Sequence, residues 1–306
     1  MTRPVHTYSI VARDPQTGQL GVAVQSHYFS VGSIVTWAEA GVGAVATQSF
    51  VRVDYGPEGL DLMRSGRSAK EALASLLATD KDSNVRQVAM VDAQGGVSAH
   101  TGELCIKGAG HIVGDQFSVQ ANLMTDDTIW PAMDEAYRGA QGDLASRLLV
   151  ALKAAQGAGG DIRGQQSAAL LIVSGERQEK SFYGRLFDLR VEDHPRPLDE
   201  LTRLVQLRRA YQLMDQGDEY LTAHEFDKAA SVIAEGLRLA PEITELKFWA
   251  AVSLLTAGRE DEALQFFREV FAREPIWADL VPRLVPPGLL SDKPGVIDRI
   301  LEQRGK

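Results

Sequence analysis

The sequence predicts an α+β fold, a four-layer α-β-β-α sandwich over residues 1–195, followed by an all-α helical repeat over residues 198–306. Three observations lead there. Glycine is concentrated at the front, 22 of its 28 copies lying before Pro197, and glycine marks tight strand connections. The front also runs as strands, helices, strands, helices, strands, with hairpins outnumbering βαβ units, which favours antiparallel sheets with helices on their outer faces. Beyond Pro197 the glycines thin out and residue types recur at a fixed spacing.

The first strand is Tyr8–Arg13, turning through Asp14–Gln19 and returning as Leu20–Ser26; two apolar runs around a Pro/Gly turn signal a hairpin. Val42–Gln48 is small and apolar on both faces, as a strand buried between layers would be. Gly59–Arg64 reads as a short helix, and Ser68 with Glu71 forms a capping-box pattern opening a helix over Ala69–Ala78. Gln87–Asp92 and Gly96–Thr101 make a second hairpin, Gln116–Ala121 adds a strand, and Ala132–Tyr137 and Asp143–Gln156 are amphipathic helices. Ser167–Val173 and Leu186–Val191 close the strand set. His194-Pro-Arg-Pro197 reads as an extended linker, with Leu198 opening the helical part.

Charge excludes several functions. The net charge of −9 is spread evenly, with 17 basic and 22 acidic residues before Pro195 and 15 and 19 after it. Without a basic face, nucleic acid and anionic membrane are poor partners. The single cysteine, Cys105, excludes an internal disulfide and a thiolate-rich metal site. His100, His111 and His194 lack ligand spacing, and no strand is followed by a glycine-rich phosphate loop, so neither metal nor cofactor is expected. With no secretory or membrane-length apolar run, the cytoplasm is the expected compartment.

The back half repeats at 34 residues: Leu221-Thr-Ala223 recurs as Leu255-Thr-Ala257, Ala229 as Ala263, and Pro241 as Pro275. This spacing resembles tetratricopeptide helix hairpins, with alanine where paired helices touch and proline after the second helix. The resemblance covers Leu201 to Pro287 and implies either a groove for a protein partner or an arm packed on the front domain.

In the front domain, Thr7-Tyr-Ser-Ile-Val-Ala-Arg-Asp14, Gly21-Val-Ala-Val-Gln-Ser26 and Ala40-Gly-Val-Gly-Ala-Val-Ala-Thr-Gln48 resemble a bacterial domain-of-unknown-function family with an Ntn-hydrolase-like fold. So do Gly159-Gly-Asp-Ile-Arg-Gly-Gln-Gln-Ser-Ala-Ala-Leu-Leu171 and Leu189-Arg-Val-Glu-Asp-His-Pro195. The resemblance implies an amide-hydrolase ancestry in which a Thr, Ser or Cys begins the first strand and its free α-amine, of pKa about 7.7–8.0, serves as base. Thr7 stands at that strand, so a free amine requires cleavage after His6. Proteasome-like members place a lysine a strand away, whereas the first lysine here is Lys70.

Residue chemistry supplies further candidates, each with a plain structural alternative. Thr7 is a nucleophile or an ordinary β-branched strand residue. Ser26, His27, Ser30 and Ser33 fall in and beside the loop after the second strand, where His27 is a general base in a serine-type variant or a solvated surface residue. Thr47-Gln48-Ser49-Phe50 and Asn122 offer oxyanion donors or simple turn chemistry. Asp161 and Arg163, set among Gly159, Gly160 and Gly164, hold a substrate carboxylate, orient a catalytic amine, or brace their loop as an ion pair. Two functions stand side by side: a hydrolase of a small amide or peptide, and a non-catalytic ligand-binding scaffold whose repeat arm recruits a protein. A homo-oligomer fits either.

Overall fold

The structure, a computed structural model, describes residues 5–291, 293 and 295–305. Strands β1 (Thr7–Arg13) and β2 (Leu20–Ser26) form the expected hairpin, followed by a one-turn helix α1 (Gly32–Val35) and strands β3 (Thr36–Glu39) and β4 (Gly43–Ser49). Helices α2 (Tyr55–Arg64) and α3 (Ala69–Thr79) precede strands β5 (Arg86–Asp92), β6 (Val97–Thr101), β7 (Gly110–Gly114) and β8 (Phe117–Asn122). Helices α4 (Ile129–Gly139) and α5 (Leu144–Gly157) lead to strands β9 (Ser167–Val173) and β10 (Arg185–Val191). The capping box forms as expected, with both Ser68 and Glu71 side chains bonded to each other's backbone.

All described strand pairs are antiparallel. They build a six-stranded sheet ordered β10-β9-β2-β1-β8-β7 and a four-stranded sheet ordered β3-β4-β5-β6. Alternation along the strands decides which residues meet. Val11, Val22, Val24, Leu171 and Val173 from the large sheet pack against Ala44, Ala46, Ala89 and Val91 from the small one, because side chains two apart share a face. Tyr8, Ile10, Val119 and Leu170 point the other way, into a core with α4 and α5. Val45, Val88 and Met90 do the same against α2 and α3.

Two expectations shift. Ser33 lies in α1 rather than in a loop, because Val31 and Val35 are fully buried and a single helical turn brings both inward. Pro197 is the first residue of helix α6 (Pro197–Thr222), not the end of a linker; proline suits a helix start because its missing N–H has no intrahelical partner there. The chain divides into compact units inside α6, between Val205 and Gln206. Leu198, Leu201 and Val205 are buried in the core beneath α4 and α5, so the first turns of α6 belong with the sheets.

The second unit is helical: the rest of α6, then α7 (Phe226–Leu239), α8 (Thr244–Thr256), α9 (Glu260–Arg273), a 3-10 segment over Pro275–Leu284, and α10 (Val296–Leu301). Ala229 in α7 and Ala263 in α9, 34 positions apart, are both fully buried. Pro241 and Pro275 each follow the second helix of a pair. Among the described residues no helix is long and apolar enough to cross a membrane.

Candidate functional site

At the end of the sandwich where β1 begins, the layer between the sheets changes from apolar to polar. Register places Ser167, Ser26, Thr7 and Asn122 side by side across β9, β2, β1 and β8. Gln48, Gln87 and Thr101 form the matching row across β4, β5 and β6. All but Thr101 are fully buried, so each polar atom needs a protein partner.

The partners form one network. Gln48 Nε2 donates to Gln87 Oε1 at 2.7 Å and to the Thr7 carbonyl at 3.3 Å. Asn122 Nδ2 also donates to Gln87 Oε1, at 2.9 Å. Gln87 Nε2 donates to the Ala121 carbonyl at 2.8 Å and to Thr101 Oγ1 at 2.9 Å. One row behind, Gln120 Nε2 donates to Ser9 Oγ at 2.7 Å, and Ser9 Oγ donates to Gln48 Oε1 at 2.6 Å. Thr101 Oγ1 lies 2.8 Å from His111 Nδ1, which lines an open groove of about 680 Å³ with Lys107, Asp127 and Trp130.

His6 and Thr7 sit where this network meets a charged loop. His6 Nδ1 donates to Asn122 Oδ1 at 3.1 Å. Burial lowers the pKa of His6, the Asn122 bond opposing it and the Arg163 charge adding to it, so the neutral imidazole is favoured. Burial also lowers the pKa of His111, helped by His100. Thr7 Oγ1 donates to the Val5 carbonyl at 3.0 Å. The His6 carbonyl, which carries the peptide bond to Thr7, accepts from Ser26 Oγ and, at 3.1 Å, from Arg163 Nη2.

Arg163 is aimed by Asp161. The guanidinium donates through Nη2 to Oδ2 at 2.6 Å and through Nε to Oδ1 at 3.0 Å, a fork-to-fork geometry that lysine could not reproduce. The Asp161 carboxylate is fully buried while the Arg163 side chain is 30% exposed. Asp161 also accepts from the His27 backbone N–H at 3.2 Å. The loop can turn this sharply because Gly159 and Gly160 take φ of +123° and +64°, a region costly for other residues.

The candidate residues therefore separate. Thr7, Ser26, Gln48, Asn122, Asp161 and Arg163 are joined through hydrogen bonds around one peptide bond. His27 reaches the cluster by its backbone; its ring is exposed, with Nδ1 3.3 Å from the Gln165 carbonyl. Ser33 is exposed, donates to the Ser30 carbonyl at 2.7 Å, and makes no hydrogen bond to the cluster among the described residues. Sequence reasoning passed over Gln87, Ser9 and Gln120. For Ser9 and Gln120 the signal is present: Thr7/Ser9 and Ser118/Gln120/Asn122 are polar at every second position of otherwise apolar strands. Among the described residues no group of three His, Cys, Asp or Glu side chains could hold a metal.

The model of a family described as a family of unknown function (DUF1028) matches residues 7–201. The chain belongs to this family. DUF1028 thus covers every strand of both sheets and ends within the turns of α6 that complete the core. A crystal structure of a DUF1028 protein from Silicibacter pomeroyi is similar, with 30% identity and a TM-score of 0.59, covering 66% of this chain and 88% of that one. No curated protein matches the chain.

Proposed function

We propose that the chain is a hydrolase of small amide or peptide bonds on an Ntn-type fold, with Thr7 as its nucleophile. What carries this reading is the carbonyl just before Thr7: two donors, Ser26 Oγ and Arg163 Nη2, converge on the His6 oxygen. Two donors on one carbonyl draw charge toward oxygen and stabilise the oxyanion that forms on attack. Thr7 Oγ1 would add to the His6 carbonyl carbon, the C–N bond would break, and water would hydrolyse the resulting ester. The products are the His6 carboxylate and a Thr7 with a free α-amine. That amine would lie beside the Asp161–Arg163 pair and act as base for Oγ1. The face-to-face antiparallel sheets, with helices packed on each outer face, support the Ntn-type reading.

Intact mass of the purified chain tests this directly. The expected product lacks residues 1–6, and Thr7→Ala should stay whole. A wild-type chain that remains whole through prolonged incubation at neutral pH overturns the mechanism.

A second reading has its own observation. In the intact chain Thr7 is fully buried and Oγ1 is already satisfied by Val5. A persistent whole chain would therefore be a degenerate hydrolase fold that binds a ligand without turning it over. In either reading the 34-residue spacing and the buried Ala229 and Ala263 support a tetratricopeptide-like arm for a protein partner.

A further inference from the structure

The first unit carries exposed apolar side chains at two ends, Phe182 and Tyr183 lying between β9 and β10. Its three most exposed large ones are Leu104 at 65%, Phe29 at 63% and Ile162 at 61%, and all lie on loops at the end where Thr7 sits. Single exposed hydrophobics need no explanation, but three beside a cluster of buried polar groups do.

Backbone bonds tie these loops into one band. Met124 N–H donates to the Gly108 carbonyl at 3.1 Å, joining the Leu104 loop to the segment after β8. Thr125 N–H donates to Gly160 at 3.1 Å and Ile162 N–H to Leu123 at 3.4 Å, joining that segment to the charged loop. The His27 N–H bond to Asp161 then brings in the loop carrying Phe29. Ile162 and Arg163 are the two middle residues of the Asp161–Gly164 turn, closed by Gly164 N–H to the Asp161 carbonyl at 2.8 Å. A cation and an apolar side chain are thus neighbours on the rim. Arg163 Nε and Nη2 are engaged, while Nη1 has no partner among the described residues.

We infer that the site takes N-acyl amino acids, the substrate's carboxylate meeting Arg163 and its apolar acyl chain lying on Phe29 and Ile162. This rests on the hydrolase reading above. In the reaction, the amide C–N bond breaks and water adds across it, giving a fatty carboxylate and a free amino acid. Charge complementarity selects this class over a plain alkyl amide: the rim offers the Nη1 edge of a guanidinium beside uncovered apolar surface.

The test is calorimetric titration of the purified full chain with N-acetyl-, N-hexanoyl- and N-decanoylglycine, and with N-hexanoylglycine methyl ester. Each methylene that reaches the apolar rim should tighten Kd about two- to fourfold. The ester, which lacks the carboxylate, should bind at least tenfold more weakly than the acid. The double variant Phe29→Ser/Ile162→Ser should flatten the dependence on chain length. Equal affinity for the acetyl and decanoyl compounds, or for acid and ester, overturns the proposal. So does a change from dimer to monomer on sedimentation of the double variant, which would make the apolar rim a surface between copies. Mass separates this failure from that of the parent reading. A cleaved chain indifferent to acyl length loses only the substrate class. A whole chain with the expected length dependence loses the hydrolase and keeps the ligand.

Discussion

Replacing Asp161 with alanine should be among the most damaging single changes in the first unit. The fully buried carboxylate holds four donors: the His27 N–H, the Arg163 N–H at 2.9 Å, and Arg163 Nε and Nη2. Removing one member of a buried ion pair costs about 3–5 kcal/mol when the other charge is left stranded. The Arg163 side chain is 30% exposed and can turn toward water, which places the loss at the low end, about 3 kcal/mol. For a unit of this size that corresponds to a fall of roughly 6–12 °C in melting temperature. Asp161→Asn keeps the shape and one acceptor and should lose about half as much. Differential scanning calorimetry of the three proteins at neutral pH gives the comparison. A melting temperature for Asp161→Ala within 1 °C of wild type, on a scale where about 1 kcal/mol is several degrees, would mean that Arg163 is aimed by something else. The geometry ascribed to the His6 carbonyl would fall with it.

Three further outcomes are expected. His6 has a folded pKa below its unfolded value because of burial, so the unfolded chain takes up the proton first and stability is lost as pH falls below about 6.5. His6→Gln should flatten part of the melting-temperature slope between pH 7.5 and 5.5, and an identical slope would refute this. Leu201 is fully buried in the core beneath α4 and α5, so Leu201→Ala should cost about 2–5 kcal/mol. By the same logic residues 1–205 should melt cooperatively and residues 1–197 should not, as circular dichroism would reveal. Gln25 is fully buried with neither amide end hydrogen-bonded among the described residues; Gln25→Leu should stabilise by about 1–3 kcal/mol, and a loss measured by urea unfolding would show that the amide is held.

Strands with strong patterns were legible in the sequence. Ser167–Val173 appears with the expected bounds, and the hairpins around Asp14–Gln19 and Ala93–Gly95 form as read. Strands β3 and β7 were not, since one has four residues and the other, Gly-His-Ile-Val-Gly, is bounded by glycines and only half buried. The site was legible one residue at a time. Thr7, Gln48, Asn122 and the Asp161–Arg163 pair are all at strand ends or in glycine-rich loops, where reactive groups gather. Gln87 was not, because within Arg86–Asp92 it reads as the polar start of an apolar strand. Its role as the shared acceptor for Gln48 and Asn122 exists only once two faces from different sheets are opposed. Period-2 alternation says which residues share a face, not which faces meet.

That opposition also bears on whether this end of the sandwich serves stability or chemistry. The remainder of the inter-sheet layer is filled by Val, Leu and Ala, and the same filling at the Thr7 end would have needed no network. Buried amides are at best near neutral in stability when fully paired and costly when one bond is missing. Backbone strain gathers at the same place: Ser49, directly after Gln48, and Leu123, directly after Asn122, have φ of +70° and +56°, and Ser30 in the Phe29 loop has +56°. Each such residue costs on the order of 1–3 kcal/mol and persists only where the surroundings fix it. Only two other described non-glycine residues share that region, Gln116 and His224, so the strain is concentrated rather than general. A fold selected for stability alone would relieve it with glycine and replace the glutamines with leucine. Both are retained around one peptide bond whose carbonyl accepts two hydrogen bonds, which is the pattern the proposed chemistry at that carbonyl calls for.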